Sequence, residues 1–155
     1  MNFGCQNMVD PLCKVLIKHP RDAYRNQTTV NHQSTQLNYT GVPNFEKALA
    51  DYESFKDLLE SSGADVHFLP GDESTFLDSI YTHDPCIISN GGAILCAMRE
   101  KERLSEPGTM EAYFKSINIP ILGRIISPGM LEGGDVVWID EYTVAVGEGS
   151  RSNAE

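Results

Sequence analysis

Apolar and polar positions along this chain change period several times, and each change marks an element. Lys14-Val-Leu-Ile-Lys-His19 is a short apolar run with charge at both ends, which predicts a buried or half-buried strand. The first thirteen residues have no such run and read as an irregular N-terminal tail. Pro20 to Val42 is rich in Asn, Gln, Thr and His and shows no helical stripe. A stretch of that length inside a domain is either a lid or binding loop, here residues 20–43, or simple disorder.

A helical period begins after Pro43. Phe45, Ala48, Leu49, Tyr52, Phe55, Leu58 and Leu59 recur at steps of three and four, with Asn44 as N-cap and Gly63 as C-terminal stop. The aromatic residues of this stripe are expected to pack in the core. Asp65 to Leu69 predicts a strand, Pro70-Gly71-Asp72 a turn, and Thr75 to Tyr81 a further apolar segment. Cys86–Ser89 and Ala93–Cys96 flank Asn90-Gly91-Gly92, which predicts a hairpin. Ser105 is placed as the cap of a helix running to about Ser116, with Met110, Tyr113 and Phe114 inward. Ile119 to Leu122 predicts a strand, and Val136–Ile139 with Tyr142–Val146 a second hairpin. Strand pairs alternating with single helices suggest a repeated ββαβ unit and an α/β architecture.

Composition narrows the class. A chain of 155 residues, 41% apolar and 22% charged, is one domain's worth of globular protein. Its apolar runs are a few residues long, too short for a transmembrane helix, and its start lacks a secretory signal pattern. The four cysteines, Cys5, Cys13, Cys86 and Cys96, form no C-x-x-C pair and read as reduced thiols of a cytoplasmic protein. A net charge of −10 opposes nucleic acid and anionic membranes, and suits a small cationic partner.

Candidate chemistry centres on Met130-Leu-Glu-Gly-Gly-Asp135, directly before the apolar run Val136–Ile139. A Gly-Gly pair lets another group approach the main chain closely, and the flanking Glu132 and Asp135 could hold a cation or orient a histidine at the mouth of a buried strand. Taken alone, the motif equally describes a loop with solvated acids. Asp84 precedes Pro85, which biases its backbone to an extended form. The histidines at 19, 32, 67 and 83 have no ligand spacing, so no metal is expected. Gly147-Glu-Gly-Ser150 lacks the lysine and setting of a phosphate loop, and no cofactor is expected.

Three segments together carry a family likeness: Asp78-Ser-Ile-Tyr-Thr-His-Asp84, Arg103 just before Ser105, and Leu131-Glu-Gly-Gly-Asp-Val136 followed by Gly149-Ser-Arg-Ser-Asn153. In this order and spacing they resemble the guanidine-modifying superfamily, most of all dimethylarginine dimethylaminohydrolase, arginine deiminase and the amidinotransferases. The likeness implies a pentein-type α/β propeller of repeated ββαβ modules, a single incomplete domain over residues 1–155 holding the N-terminal modules. It implies a hydrolase that cleaves the guanidinium C–N bond of arginine or a methylated arginine to give citrulline. Amidino transfer and a non-catalytic binding module on the same fold are the alternatives.

By the same likeness Asp84 grips the substrate guanidinium, Asp78 meets the amino-acid part, Arg103 and Arg151 suit the α-carboxylate, and Glu132 orients the catalytic histidine. Asp135 is structural or supports these groups from behind. His83 departs from the family, which often carries Arg or Glu there. The family's histidine and nucleophilic cysteine follow the segment that here closes the sequence, so this chain by itself is expected to be inactive. The expected partner is a guanidino compound, with an oligomer open.

Overall fold

The run beginning at Lys14 pairs where its apolar residues find a neighbour of the same kind. The structure, a computed structural model, describes residues 3–155; the first two residues of the tail lie outside the described residues. Two units are distinguished, Leu12–Thr82 and, separately, His83–Glu155 together with the residues up to Pro11.

In the Leu12–Thr82 unit, β1 (Lys14–Ile17) lies parallel to β2 (Asp65–Phe68), with Val15 opposite Val66. A parallel pair needs a long crossover, and this one holds three helices: α1 (Pro20–Ala23), α2 (Gln27–Gln36) and α3 (Phe45–Ser61). The segment expected as an irregular loop over 20–43 is therefore largely helical. His19 and Asn26 cap α1 and α2 with side-chain acceptors, and Pro20 starts α1. The sequence pattern hides α2 because its residues are mostly polar and it buries only Val30 and Ser34. Ala23, Tyr24, Val30 and Leu77 form one buried cluster of this unit, and Ile17, Ala64 and Leu69 of the same unit are buried as well.

Helix α3 has the bounds expected of it. Asn44 accepts from the Lys47 N–H, and Gly63 follows the helix with φ +88. Its stripe is less buried than expected, with Phe55 44% and Leu58 66% exposed. The helix has 17 residues, roughly 25 Å at 1.5 Å per residue, whereas four-residue strands run only about 13 Å. A two-stranded sheet cannot cover it. The apolar segment Thr75 to Tyr81 folds as a 3-10 turn at Leu77–Ile80, with Leu77 fully buried.

In the other unit, β3 (Cys86–Ser89) and β4 (Gly92–Leu95) form the expected hairpin, closed by Asn90-Gly91. A 3-10 turn at Lys101–Arg103 leads into α4 (Glu106–Ser116), which buries Met110 and Phe114. Strand β5 (Ile121–Arg124) then pairs parallel to β4, two residues later than the sequence suggested, because Pro120 supplies its carbonyl to the Ala93 N–H before the ladder begins. The order β3-β4-α4-β5 is one ββαβ unit. Strands β6 (Val136–Asp140) and β7 (Thr143–Val146) form a separate antiparallel ribbon.

That ribbon corrects the expectation of a buried strand after the Gly-Gly motif. Val137 is 47% and Ile139 61% exposed, and every residue of β7 is exposed. Two strands alone have one partner each and cannot bury both faces. Gln6 of the tail donates to the Glu141 carbonyl and accepts from the Asn90 N–H, joining the turns of the two hairpins. Among the described residues, no helix is long and apolar enough to cross a membrane.

Candidate functional site

Asp84 sits at the entrance to β3, and the loop carrying Glu132 is laced directly to it. The Gly133 N–H donates to the Asp84 carbonyl at 2.8 Å, and Leu131 bridges Ala97 just beyond the end of β4. Glycine is needed here for space. A Cβ on Gly133 would lie 2.1 Å from the His83 carbonyl oxygen and 2.8 Å from that of Cys86; one on Gly134 would lie 2.8 Å from Asp84 Oδ1. The Gly-Gly pair thus lets Glu132 come alongside the Asp84 segment.

Between these two acids lies a guanidinium. Arg103 Nη1 donates to Asp84 Oδ2 at 2.8 Å and stands 3.9 Å from Glu132 Oε2. Its other edge is held side-on by Glu106, Nε to Oε1 at 2.9 Å and Nη2 to Oε2 at 2.8 Å. Arg103 is 3% and Glu106 1% exposed. Paired, charge-assisted bonds of this kind fix a planar cation in direction as well as in place. Burial opposes the charge of Arg103, but the hydrogen bonds and charges of Glu106 and then Asp84 outweigh it and raise its pKa.

Glu132 is the least satisfied member. It is 1% exposed, and neither carboxyl oxygen has a hydrogen-bond partner. Arg151 Nη1 comes to 3.1 Å of Oε2, close enough for an ion pair but outside hydrogen-bond geometry. Burial pushes the Glu132 pKa up from its ordinary 4.5, with the repulsion of Asp84 and against the attraction of Arg151 and Arg103 and the nearby backbone N–H of Arg99. With donors near it but no well-formed hydrogen bond, this buried carboxyl can accept a further N–H.

The closing segment is pinned behind this loop. Ser152, fully buried, accepts from the Glu132 N–H at 3.1 Å and donates to Asp135 Oδ2 at 2.6 Å. Asn153 exchanges bonds with Met130 in both directions, and Arg99 donates to the Ser150 carbonyl. Arg151, held between these anchors, keeps its side chain 52% exposed.

The structure thus brings Asp84, Arg103, Glu132, Arg151 and Asp135 into one cluster. Arg103 has a setting other than the one expected: it is an internal counter-ion, buried with its edges engaged, not an exposed hand for a substrate carboxylate. Asp78 belongs to the Leu12–Thr82 unit, where it accepts from the Tyr39 hydroxyl at 2.5 Å. Sequence reading missed Glu106 and Ser152. The i, i+3 spacing of Arg103 and Glu106 was a usable signal, masked because Glu106 also suits a helix's first turn. Ser152 carried no signal. His83 is exposed. Cys86 and Cys96 are buried, and desolvation pushes each thiol up to about 12, with Cys86, Asp84 and Glu132 adding to the effect at Cys96.

Comparison with known proteins gives this cluster a context. A family model described as arginine deiminase matches residues 76–155, just over half of the chain. The chain is 29% identical over 117 residues to N(G),N(G)-dimethylarginine dimethylaminohydrolase of Pseudomonas aeruginosa, covering 76% of this chain and 45% of that protein. It is 33% identical over 113 residues to an uncharacterised protein of Aeropyrum pernix, covering 72% and 41%. A crystal structure of dimethylarginine dimethylaminohydrolase, as an adduct with 4-chloro-2-hydroxymethylpyridine, superposes with a TM-score of 0.72 at 26% identity, over 92% of this chain and 52% of that one. The chain spans less than half the length of the two curated relatives.

Proposed function

The chain belongs to the arginine deiminase family, within the guanidine-modifying superfamily, and on that premise we propose that it carries the substrate-gripping half of a hydrolase. The enzyme cleaves a guanidinium C–N bond of arginine or a methylated arginine and leaves a citrulline-type product. The single observation that carries this reading is the convergence of Asp84 and Glu132 on one guanidinium nitrogen, at 2.8 and 3.9 Å. Two acids that converge on one flat cation have the charge and the acceptors to bind a second such group.

Asp84 takes the in-plane N–H groups of the substrate through paired charge-assisted bonds and localises its positive charge. That makes the guanidinium carbon a better electrophile. A cysteine thiolate attacks this carbon, and the C–N bond to the departing amine breaks as a histidine gives the amine its proton. The same histidine then takes a proton from water, whose oxygen displaces the thiolate and forms the product carbonyl. Glu132 orients that histidine and raises its basicity, using a carboxyl that has room to accept an N–H. Buried Cys86 and Cys96, with thiols pushed up to about 12, are unsuited to be the nucleophile. Histidine and nucleophile belong, in this reading, to the remainder of the enzyme.

Arg151, half exposed beside Glu132, is assigned to the substrate carboxylate. Arg103 is assigned to fix Asp84 and to neutralise its neighbours. Asp135 supports the Glu132 loop through Ser152, and the family likeness assigns Asp78 to the amino-acid end. In the same reading β3-β4-α4-β5 is one module of a pentein propeller and β6-β7 opens the next. The complete gene product should release citrulline from L-arginine or a methylarginine, measured colorimetrically, and lose that activity with Asp84→Asn. Transfer of the amidino group to a second amine would make it an amidinotransferase, and binding without turnover a non-catalytic module. Failure to bind any guanidino compound at millimolar concentration would reject the reading.

A further inference from the structure

Helix α2 is a puzzle for a core-forming element, since it is polar nearly throughout and buries only Val30 and Ser34. Its side chains are used to hold neighbours. Gln27 donates to the Pro43 carbonyl and accepts from the Phe45 N–H at 2.7 Å, which ties α2 to the start of α3. Gln33 Oε1 accepts from the Leu77 N–H at 3.0 Å, the first residue of the 3-10 turn that carries Asp78. Beyond the end of α2, Tyr39 packs against the core of Ala23, Tyr24, Val30 and Leu77 and donates its hydroxyl to Asp78 Oδ1 at 2.5 Å. One segment therefore grips both the backbone before Asp78 and its carboxylate.

We infer that Tyr39 is a positioning residue which sets the Asp78 carboxylate to receive the α-ammonium group of an amino-acid substrate, and so favours substrates bearing that group. The inference rests on the assignment of Asp78 to the amino-acid end. A carboxylate steadied by a packed phenol meets its partner without first losing rotational freedom. Burial, then the bond to Asp78, raises the Tyr39 pKa, so the hydroxyl stays a neutral donor through the physiological range. The crossover segment between β1 and α3 thus acts as a brace for a binding residue.

The test compares two ligands that differ only in the amino group, L-arginine and 5-guanidinopentanoic acid, titrated calorimetrically into the complete gene product. Tyr39→Phe keeps the ring and removes the donor, and Asp78→Asn is the control. Tyr39→Phe is expected to weaken L-arginine about tenfold, the worth of one charge-assisted hydrogen bond, and to leave the des-amino ligand unchanged. Asp78→Asn should show the same selectivity with a larger loss. If Tyr39→Phe leaves L-arginine affinity intact while Asp78→Asn reduces it, Tyr39 is no positioning residue. Equal weakening of both ligands would make its role merely structural. If the unsubstituted protein binds both ligands alike, Asp78 does not read the amino group; if it binds neither, the guanidino reading falls as well, and either result overturns the inference.

Discussion

Arg103 and Asp84 meet through Nη1 and Oδ2 at 2.8 Å, while the opposite edge of the same guanidinium lies against Glu106. An arginine so placed has exchanged hydration for carboxylates on two sides, and each carboxylate depends on it in turn. The pair links the start of β3 to the start of α4, and through Nη1 it approaches the Glu132 loop. One side chain therefore sets the mutual placement of three segments.

Removing that cation should be costly. Arg103→Met leaves Glu106 a buried carboxylate without its paired cation and takes the same partner from Asp84, and breaking a buried pair in this way costs about 3–5 kcal/mol. The double substitution Arg103→Met with Glu106→Leu removes charge and counter-charge together and should recover a large part of the loss. Urea denaturation of the two variants and the parent checks this. Equal destabilisation by the single and double changes would mean that Glu106 is not held by Arg103.

Gly133 is expected to tolerate no side chain. The Cβ of Gly133→Ala would press on the backbone oxygen of His83, 2.1 Å away, and on that of Cys86, and neither is the movable end of a side chain. A loss of about 3 kcal/mol or more is expected in denaturant unfolding, at or above the usual range for overpacking. Gly149, with open space around its missing Cβ, is the control and should accept alanine with little change.

Buried Glu132 gives stability a definite pH dependence. Burial raises its folded-state pKa above the unfolded value near 4.5, so between those two values the native state binds more protons than the unfolded chain. Stability from this group is therefore fully present below 4.5 and is lost as pH rises through the folded value. Glu132→Gln abolishes that loss. Relative to the parent, the variant should gain stability at pH 7 compared with pH 4, read as the difference in melting temperature at the two pH values. A variant whose offset is the same at both would contradict this assignment.

Thiol chemistry separates the cysteines. Cys5 and Cys13 are exposed, whereas Cys86 and Cys96 are buried with thiols pushed up to about 12. A thiol-disulfide reagent at pH 8 should modify two thiols per chain rapidly and the remaining two only on unfolding, since thiolate fraction and access both govern the rate. Rapid native-state modification of Cys86 or Cys96 would show that β3 and β4 are less closed than described.

Much of the fold was legible where a residue's role is local. Asn44 and Gly63 bracket α3 because capping needs one side chain and one backbone angle. Asn90-Gly91 marks its hairpin for the same reason. Helix α2 was not legible, because its stability comes from Asn26 and from bonds to Pro43, Phe45 and Leu77, none of which leaves an apolar period. In the site, Asp84, Glu132 and Arg151 could be singled out as a set by family likeness, and the structure does cluster them. The inward turn of Arg103 was not legible. It depends on Glu106 being buried beside it, and a sequence shows an Arg and a Glu at that spacing equally well on a solvated helix face.

The central question is whether Asp84 and Glu132 together take a flat cation from solution. Calorimetric titration of the complete gene product with L-arginine, asymmetric dimethylarginine and L-lysine decides it, with Asp84→Asn as the paired variant and circular dichroism as the check on its fold. The expected result is saturable binding of at least one guanidino compound, none of L-lysine, and a loss of about tenfold or more in the folded Asp84→Asn protein, the scale of charge-assisted pairing. Equal affinity for lysine and arginine, or guanidino binding untouched by Asp84→Asn, would contradict it.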